Sequence, residues 1–526
     1  MRTLRSFVAG SWHTASSGLR PLVDPSTEEV IAQASSDGVD FAAVLESARR
    51  AGDELRRSTF AERGAVLKAV GKALRAERDE LLELSRRNNG AVTPDGAFDI
   101  DGASGTMSYY AAVARQLGDR HTLVDGDGAQ LWRDESFWSQ HQWAPRHGVA
   151  VAINAFNFPA WGFAEKAACA LLAGVPVVTK PATATALVAE RTFEIVLEAA
   201  TAAGLPDGAL QLICGGTGDL LDRLGPQDVF AFTGSAATAA RLRDRDNLRA
   251  HNTRINIEAD SLNAAVLAPD VAPGAVSWDL FVKDVVREMR QKTGQKCTAV
   301  RRILVPTQRL DDAADALAAA LDEIVVGRPG AESVTMGPLA TADQLADTVE
   351  GTAALREVAE LVHGSGERVD GVGVDAGTGF FFGPTLLRAA NARAAAVVHE
   401  REVFAPVATL LPYGGEAVEA AEIVALGGGT LVTSVYGDDT DWLTGFVGAV
   451  GHATGRVYVG SESAAKAAPG SGIAMPQSLH GGPGRAGGGE ELGGVRGVQR
   501  YMQRTAVQGH RSLVDTVTGA GVAEGD

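Results

Sequence analysis

The sequence predicts an α/β protein built on doubly wound parallel sheets. Three features predict it. Short apolar runs end in polar turns, stretches with apolar residues three and four apart alternate with them, and glycine (62 residues) and alanine are abundant, which favours close packing of helices on strands. Residues 41–87 read as helices, with charges between the apolar positions of Ala61-Glu62-Arg63-Gly64-Ala65-Val66-Leu67-Lys68. From Gly148 the pattern changes. Residues 149–154 form an apolar run of strand length, followed by a helix over 163–172, a strand over 175–179, a helix over 186–202, a strand over 210–214, a helix over 218–224 and a strand over 229–233. A second alternating block begins near Leu262. It has strands over 264–267, 302–305 and 408–412, and helices over 278–291 and 310–324. The segment 481–494 is more than half glycine and reads as a flexible surface loop, and the end of the tail after Arg511 reads as loosely ordered.

With 526 residues, the chain is long enough for two or three domains. A net charge of −17 argues against nucleic-acid or anionic-membrane partners, though not against a local basic pocket for a phosphorylated ligand. Cys169, Cys214 and Cys297 are the only cysteines, too few and too odd in number for a disulfide framework. No apolar run long enough for a signal peptide or membrane span occurs, so a reduced, cytoplasmic protein is expected.

The chemistry-bearing residues are spread along the chain. Cys297 follows Thr293-Gly294-Gln295-Lys296, and Glu258 stands thirty-nine residues earlier in Asn256-Ile257-Glu258-Ala259-Asp260. A thiol after a Gly-Gln turn, paired with an upstream carboxylate, suits covalent oxidation of an aldehyde. Alone, such a cysteine is more often a small buried hydrophobe. Asn157, in Asn154-Ala155-Phe156-Asn157-Phe158-Pro159, adds an amide donor for an oxyanion; alone it reads as a turn residue. No G-x-G-x-x-G opens a helix. Cys214-Gly215-Gly216-Thr217-Gly218 is a weak echo. Thr233-Gly234-Ser235, between a strand and a small-residue helix, is the stronger place for a pyrophosphate, although Ser235 equally reads as a plain N-cap. Lys180, at another strand end, is placed to touch a ribose.

These elements occur together and in order, and through them the chain resembles the aldehyde dehydrogenase superfamily over nearly its full length. The likeness rests on Asn157-Phe158-Pro159, Lys180-Pro181-Ala182, Phe232-Thr233-Gly234-Ser235, Glu258, Gly294-Gln295-Lys296-Cys297, Phe382-Gly383-Pro384-Thr385-Leu386-Leu387 and Glu402-Val403-Phe404-Ala405-Pro406-Val407. Glu258-Ala259-Asp260-Ser261-Leu262-Asn263 and His480-Gly481-Gly482-Pro483-Gly484-Arg485-Ala486 are similar to a branch that handles CoA-linked semialdehydes from aromatic ring opening. The resemblance implies the aldehyde dehydrogenase fold, with a Rossmann-like cofactor domain (1–129 and 147–262), an α/β catalytic domain (263–498) and a small β oligomerisation element (130–146 and 499–526).

It also implies roles. Cys297 is the nucleophile, Glu258 activates the hydrolytic water and Asn157 stabilises the oxyanion. Asn154, Phe156, Lys180, Thr183, Gly218, Thr233, Gly234, Ser235, Glu402 and Phe404 face the cofactor. Phe156, Trp161 and Phe163 are possible substrate-channel walls, and Arg485 a possible contact for a CoA phosphate. No metal is expected. The chain departs from the family pattern where Ala259 and Asp260 replace two glycines, and where Thr183 replaces the glutamate of most NAD-preferring members. A neutral Thr183 does not repel a 2′-phosphate, so NADP is the expected cofactor, with NAD possible. The expected reaction is oxidation of a CoA-linked semialdehyde to the acid by a homodimer or larger homo-oligomer. Rival readings are a broad-specificity aldehyde scavenger, a CoA-acylating dehydrogenase and a catalytically silent binding member of the fold.

Overall fold

A computed structural model describes residues 1–520. Two seven-stranded sheets carry the molecule. The first runs, edge to edge, Arg254–Glu258, Val229–Thr233, Ala150–Ile153, Val177–Lys180, Leu210–Leu212, Ser6–Val8 and Ser11–His13; its first five strands are parallel and the last two antiparallel. The chain lays Ala150–Ile153, Val177–Lys180 and Leu210–Leu212 in one direction, then returns to place Val229–Thr233 on the other side of Ala150–Ile153. That reversal leaves a crevice beyond the ends of Ile153 and Thr233, where ligands of open α/β sheets bind.

The second sheet runs Glu360–His363, Thr385–Arg388, Val407–Tyr413, Arg302–Pro306, Ala264–Leu267, Thr433–Tyr436 and Val457–Gly460, parallel except at its first strand. Its central strands are buried on both faces, Ala264 to Leu267 and Arg302 to Val305 throughout, which is why Ala264–Leu267 and Ile303–Val305 read as apolar runs. The parallel strands and the helices between them match the predicted α/β class.

The helices begin where capping chemistry allows. Asp40 accepts from the Ala42 and Ala43 N–H groups ahead of helix Phe41–Leu55, and Thr59 with Glu62 forms a capping box for helix Phe60–Ala76. A third helix, Arg78–Asn89, completes the predicted helical region. Helix Thr93–Leu117, unrecognised in the sequence because of its three glycines, packs along Phe60–Ala76.

Two local readings are corrected. Residues 218–224 form only a 3₁₀ turn, Leu220–Arg223, because the segment is too short for regular helix. The glycine-rich segment is not a flexible surface loop. It forms the antiparallel pair Leu479–Gly481 and Glu490–Leu492 around a 3₁₀ turn, Gly484–Ala486, and most of it is buried. The tail begins with helix Arg511–Thr518, anchored by buried Val514, and its end, residues 521–526, read from the sequence as loosely ordered, lies outside the described residues.

Outside both sheets, strand Met502–Gly509 pairs with Trp138–Pro145, which pairs with Leu123–Gln130. The hairpin therefore opens at Leu123, earlier than the 130–146 read from the sequence. Among the described residues no helix is long and apolar enough to cross a membrane.

Candidate active site

Glu258 ends an edge strand of the first sheet, and Cys297 lies just before strand Arg302–Pro306 of the second. The C-terminal end of one sheet thus faces the N-terminal end of the other. Ala155, Asn157, Phe158, Trp161, Glu165, Thr233, Glu258 and Cys297 line one small cavity. Residues far apart in sequence, singled out for one chemistry, therefore share one space.

The turn before the thiol is strained. Lys292 and Thr293 have φ of 53° and 56°, followed by Gly294 at 65°. Two consecutive non-glycine residues in the left-handed region persist only where the surroundings over-determine them. Here Asp95 accepts from the Lys292 N–H (2.8 Å), the Thr293 hydroxyl donates to the Gly337 carbonyl (3.0 Å) and the Gln295 carboxamide accepts from the Ala340 N–H (3.0 Å). Gly294 has no substitute, since a β-carbon there would collide with the Ala405 carbonyl. Beyond the thiol, Asn263 donates to the carbonyls of Cys297 (2.7 Å) and Ala299 (2.9 Å).

Asn157 is buried, and its amide donates to the Gln295 carbonyl at 3.0 Å. That bond orients the amide beside the thiol. Asn157→Ala should lower kcat by about 10²–10³-fold with little change in thermal stability, the loss typical of one oxyanion donor. Steady-state kinetics beside a thermal melt checks this.

Four side chains given no role in the sequence reading cluster near Glu258 and Cys297. His480 is buried, with its Nε2 3.1 Å from Glu258 Oε2 and 3.7 Å from Cys297 Sγ. Lys166 is buried with Glu165 (2.7 Å) and Glu491 (3.0 Å), and Asn256 donates to Glu491 at 3.3 Å. Glycine-rich texture hid the function of the 481–494 segment. The Gly489 N–H donates to the Ile257 carbonyl (3.0 Å) and the Ala259 N–H to the Ala486 carbonyl (3.0 Å), so the segment grips the backbone on both sides of Glu258. A β-carbon at Gly487 or Gly489 would strike the Ile257 carbonyl. The glycines allow this close approach, which brings His480 to Glu258.

The local electrostatics follow from burial and these partners. Burial alone would raise Glu258, but His480, then Lys166 and the Cys297 thiol, outweigh it and hold the carboxyl down to about 2. Burial, reinforced by Glu258, pushes the Cys297 thiol well above the ordinary range. Burial opposes charge on Lys166, yet Glu165, Glu491 and Glu258 hold its ammonium above its ordinary value. Burial and the neighbouring Glu491 push Glu165 up.

On the other side, Glu402 accepts from the Ser261 N–H (3.0 Å) and pairs with Arg301 (3.3 Å). Burial raises it most; Arg301 opposes and Asp260 adds to the rise, which brings it to about 7. Arg301, also unforeseen, donates to the carbonyls of Ala405 (2.7 Å) and Gly294 (2.9 Å), tying the turn before Cys297 to the Glu402 segment. Phe404 lies edge-on to Phe156, ring centroids 5.8 Å apart. Asn154 donates to Thr179 (2.8 Å) while its buried Oδ1 has no partner, and the buried Thr233 hydroxyl has none either.

Ser235 caps helix Ala236–Arg243, and Gly234 donates to the Glu258 carbonyl (3.1 Å). Asp260, where the family pattern has glycine, accepts from the Ala236 N–H (2.8 Å) and occupies one of that helix's free donors. Lys180 ends strand Val177–Lys180, with its ammonium lowered by burial, and Thr183 opens the next 3₁₀ turn. Gly218 has φ of 45° and packs on Phe41, which accounts for the glycine without a ligand. Two expectations are corrected. Phe163 packs on Phe193 in the core (6.1 Å) and does not line the cavity, whereas Trp161 does. Arg485 is spent on the carbonyls of His399 (3.1 Å) and Glu400, so it braces the fold.

Two α/β sheets, a ligand crevice at the strand reversal and a half-buried thiol opposite a carboxylate are the arrangement of a dinucleotide-dependent oxidoreductase. The chain belongs to the aldehyde dehydrogenase family, whose sequence profile matches residues 12–507, and it is an NAD(P)-dependent aldehyde dehydrogenase. It is 46% identical over 481 residues to 3,4-dehydroadipyl-CoA semialdehyde dehydrogenase of Aromatoleum evansii, covering 91% of this chain and 93% of that one. It is 31% identical to the α-ketoglutarate semialdehyde dehydrogenase of Haloferax volcanii, over 77% of this chain and 80% of that one. Among solved structures, betaine aldehyde dehydrogenase of Staphylococcus aureus (a G234S mutant) superposes with a TM-score of 0.83 at 24% identity, covering 97% of this chain and 95% of that one.

Proposed function

We propose that the protein oxidises a CoA-linked semialdehyde, 3,4-dehydroadipyl-CoA semialdehyde or a related ring-cleavage product, to the free acid with NADP. The observation that carries the reaction type is the single cavity shared by Cys297, Glu258 and Asn157. The likeness to the Aromatoleum evansii enzyme supports the substrate class. In this reading the Cys297 sulfur adds to the aldehyde carbon and its proton leaves. The Asn157 amide and the Cys297 backbone N–H receive the developing oxyanion. When bound, the nicotinamide supplies the hydride acceptor. The thioester left on Cys297 is hydrolysed by water that Glu258 deprotonates, which releases the acid and restores the thiol.

The residues present suit a dinucleotide. Unpartnered, buried Asn154 Oδ1 and Thr233 Oγ1 lie at the crevice, with Lys180 beside them and Glu402 beyond. Glu402 would hold the nicotinamide ribose, Phe404 and Phe156 would flank the ring, and Gly234 and Ser235 would face the pyrophosphate. Gly218 would lie near the far end. Thr183 supports NADP, because a neutral side chain there leaves a 2′-phosphate unopposed. Thr183→Glu should shift the ratio of kcat/KM for NADP over NAD by about 10–100-fold toward NAD, through one repelled charge.

The domain roles read from the sequence belong to the same proposal. Leu131, Trp132 and Phe137 on the outer hairpin, with Leu513 and Val517 on the last helix, are exposed apolar groups beside a three-stranded sheet, which supports self-association into a dimer or larger homo-oligomer. Trp132→Glu should weaken self-association by at least about tenfold by light scattering, as expected for an aromatic anchor.

The decisive assay follows the absorbance of reduced nicotinamide with NADP and NAD, on a CoA-linked semialdehyde and on a simple aliphatic aldehyde. Turnover that favours NADP and the CoA substrate is expected. Equal turnover of simple aldehydes would indicate a scavenger, and a strict requirement for free CoA an acylating enzyme.

A further inference from the structure

The Sγ of Cys297, the Nε2 of His480 and a carboxylate oxygen of Glu258 lie within 4.8 Å of one another. The thiol–imidazole distance is 3.7 Å and the imidazole–carboxylate distance 3.1 Å. Tetrahedral zinc has Zn–S near 2.3 Å and Zn–N or Zn–O near 2.0–2.1 Å, so its coordination polyhedron has S–N edges of about 3.6 Å and N–O edges of about 3.3 Å. The two observed distances lie within about 0.2 Å of these edges, and the thiol and carboxylate lie within 4.8 Å of each other. All three atoms face one another from separate, rigid segments: an edge strand, the strained nucleophile turn and the glycine-rich pair.

The surrounding charge favours a cation. Glu165, Glu258 and Glu491 are buried around one ammonium, Lys166, so carboxylates outnumber buried cations at this end of the cavity. Cys169 and Cys214 are buried and have no part in the cluster.

We infer that Cys297, His480 and Glu258 form a tridentate site for a borderline divalent cation of the zinc type, which binds the cofactor-free enzyme reversibly and blocks the nucleophile. The S–H proton passes to solvent as the sulfur–metal bond forms, while His480 and Glu258 give lone pairs; no electron is transferred. Water completes the fourth position. The cation occupies the sulfur that would attack the aldehyde, so it inhibits in competition with substrate and shields the thiol from oxidation. The inference shares its residues with the dehydrogenase reading but does not depend on turnover.

Cobalt(II) is the probe. Added to the cofactor-free protein, it should bind one ion per chain, with a thiolate-to-metal charge-transfer band and the intense visible bands of four-coordinate cobalt, and zinc should displace it. Cys297→Ala should abolish the charge-transfer band. His480→Phe and Glu258→Gln, each checked for folding by thermal melt, should weaken binding by more than about 100-fold, beyond the cost of losing an outer-shell partner. A wild-type protein without the band, or bands of undiminished affinity in a folded His480→Phe protein, overturns the site. A protein that shows the bands but oxidises no aldehyde would overturn the dehydrogenase reading and leave the metal site standing.

Discussion

Cys297→Ala should lower turnover by more than about 10⁴-fold, the scale seen when a covalent nucleophile is removed. The fold should survive, because the turn that carries residue 297 is held by Asp95, Gly337, Ala340 and Asn263 and none of these bonds uses the thiol. Cofactor affinity should stay within a few-fold. The native thiol should also show its burial. It is pushed above the ordinary range by desolvation and Glu258, so it is protonated at neutral pH in the free enzyme. Labelling by iodoacetamide should therefore be slow at pH 7 and reach half its limiting rate only above about pH 8.5, the midpoint of an ordinary cysteine. A plateau below that point would show that the thiolate is stabilised in the free enzyme.

Glu258→Gln separates the two halves of the reaction. Glutamine keeps the shape and can still bond His480 but cannot take a proton from water. Steady-state turnover should fall by about 10²–10⁴-fold, the usual contribution of a general base. The first half should survive, so rapid mixing should show a burst of about one reduced cofactor per subunit, then a stall with the acyl group on Cys297. Intact-protein mass spectrometry should find that adduct, and alkaline hydroxylamine should release it. No burst would mean that Glu258 is needed for attack by the thiol, and unchanged steady-state turnover would mean that another group activates water.

Much of the fold was legible because parallel sheets write themselves as apolar runs. Strands Val229–Thr233 and Ala264–Leu267 have the bounds that hydrophobic patterning predicts. Cys297, Glu258 and Asn157 stood out because each follows or ends a recognisable turn or run. What was hidden depended on contacts across hundreds of residues. His480 reaches Glu258 only because Gly487 and Gly489 let one backbone rest on another, and composition alone makes such glycines look like slack. Lys166 and Glu165 sit in a helix that is buried all round, where charged residues look like ordinary surface positions until the fold encloses them. Arg301 looked like half of a basic pair, yet all four hydrogen bonds of its side chain, and its stacking on Phe404, serve the turn before Cys297 and the Glu402 segment.

The strand that ends at Glu258 is held at both ends by the C-terminal part of the chain. At its start, Arg254 donates to the carbonyls of Arg500 (2.8 Å) and Met502 (2.6 Å), the latter the first residue of the outer sheet. At its finish, the glycine-rich pair clasps Ile257 and Ala259. A five-residue strand so fixed transmits displacement like a short rod. If, as proposed, subunits associate through the outer sheet and Glu258 is the general base, that contact would bias where Glu258 stands, and quaternary state and base position would share one free-energy balance. Dilution below the association constant should accordingly slow release of the acyl group before it slows attack by the thiol.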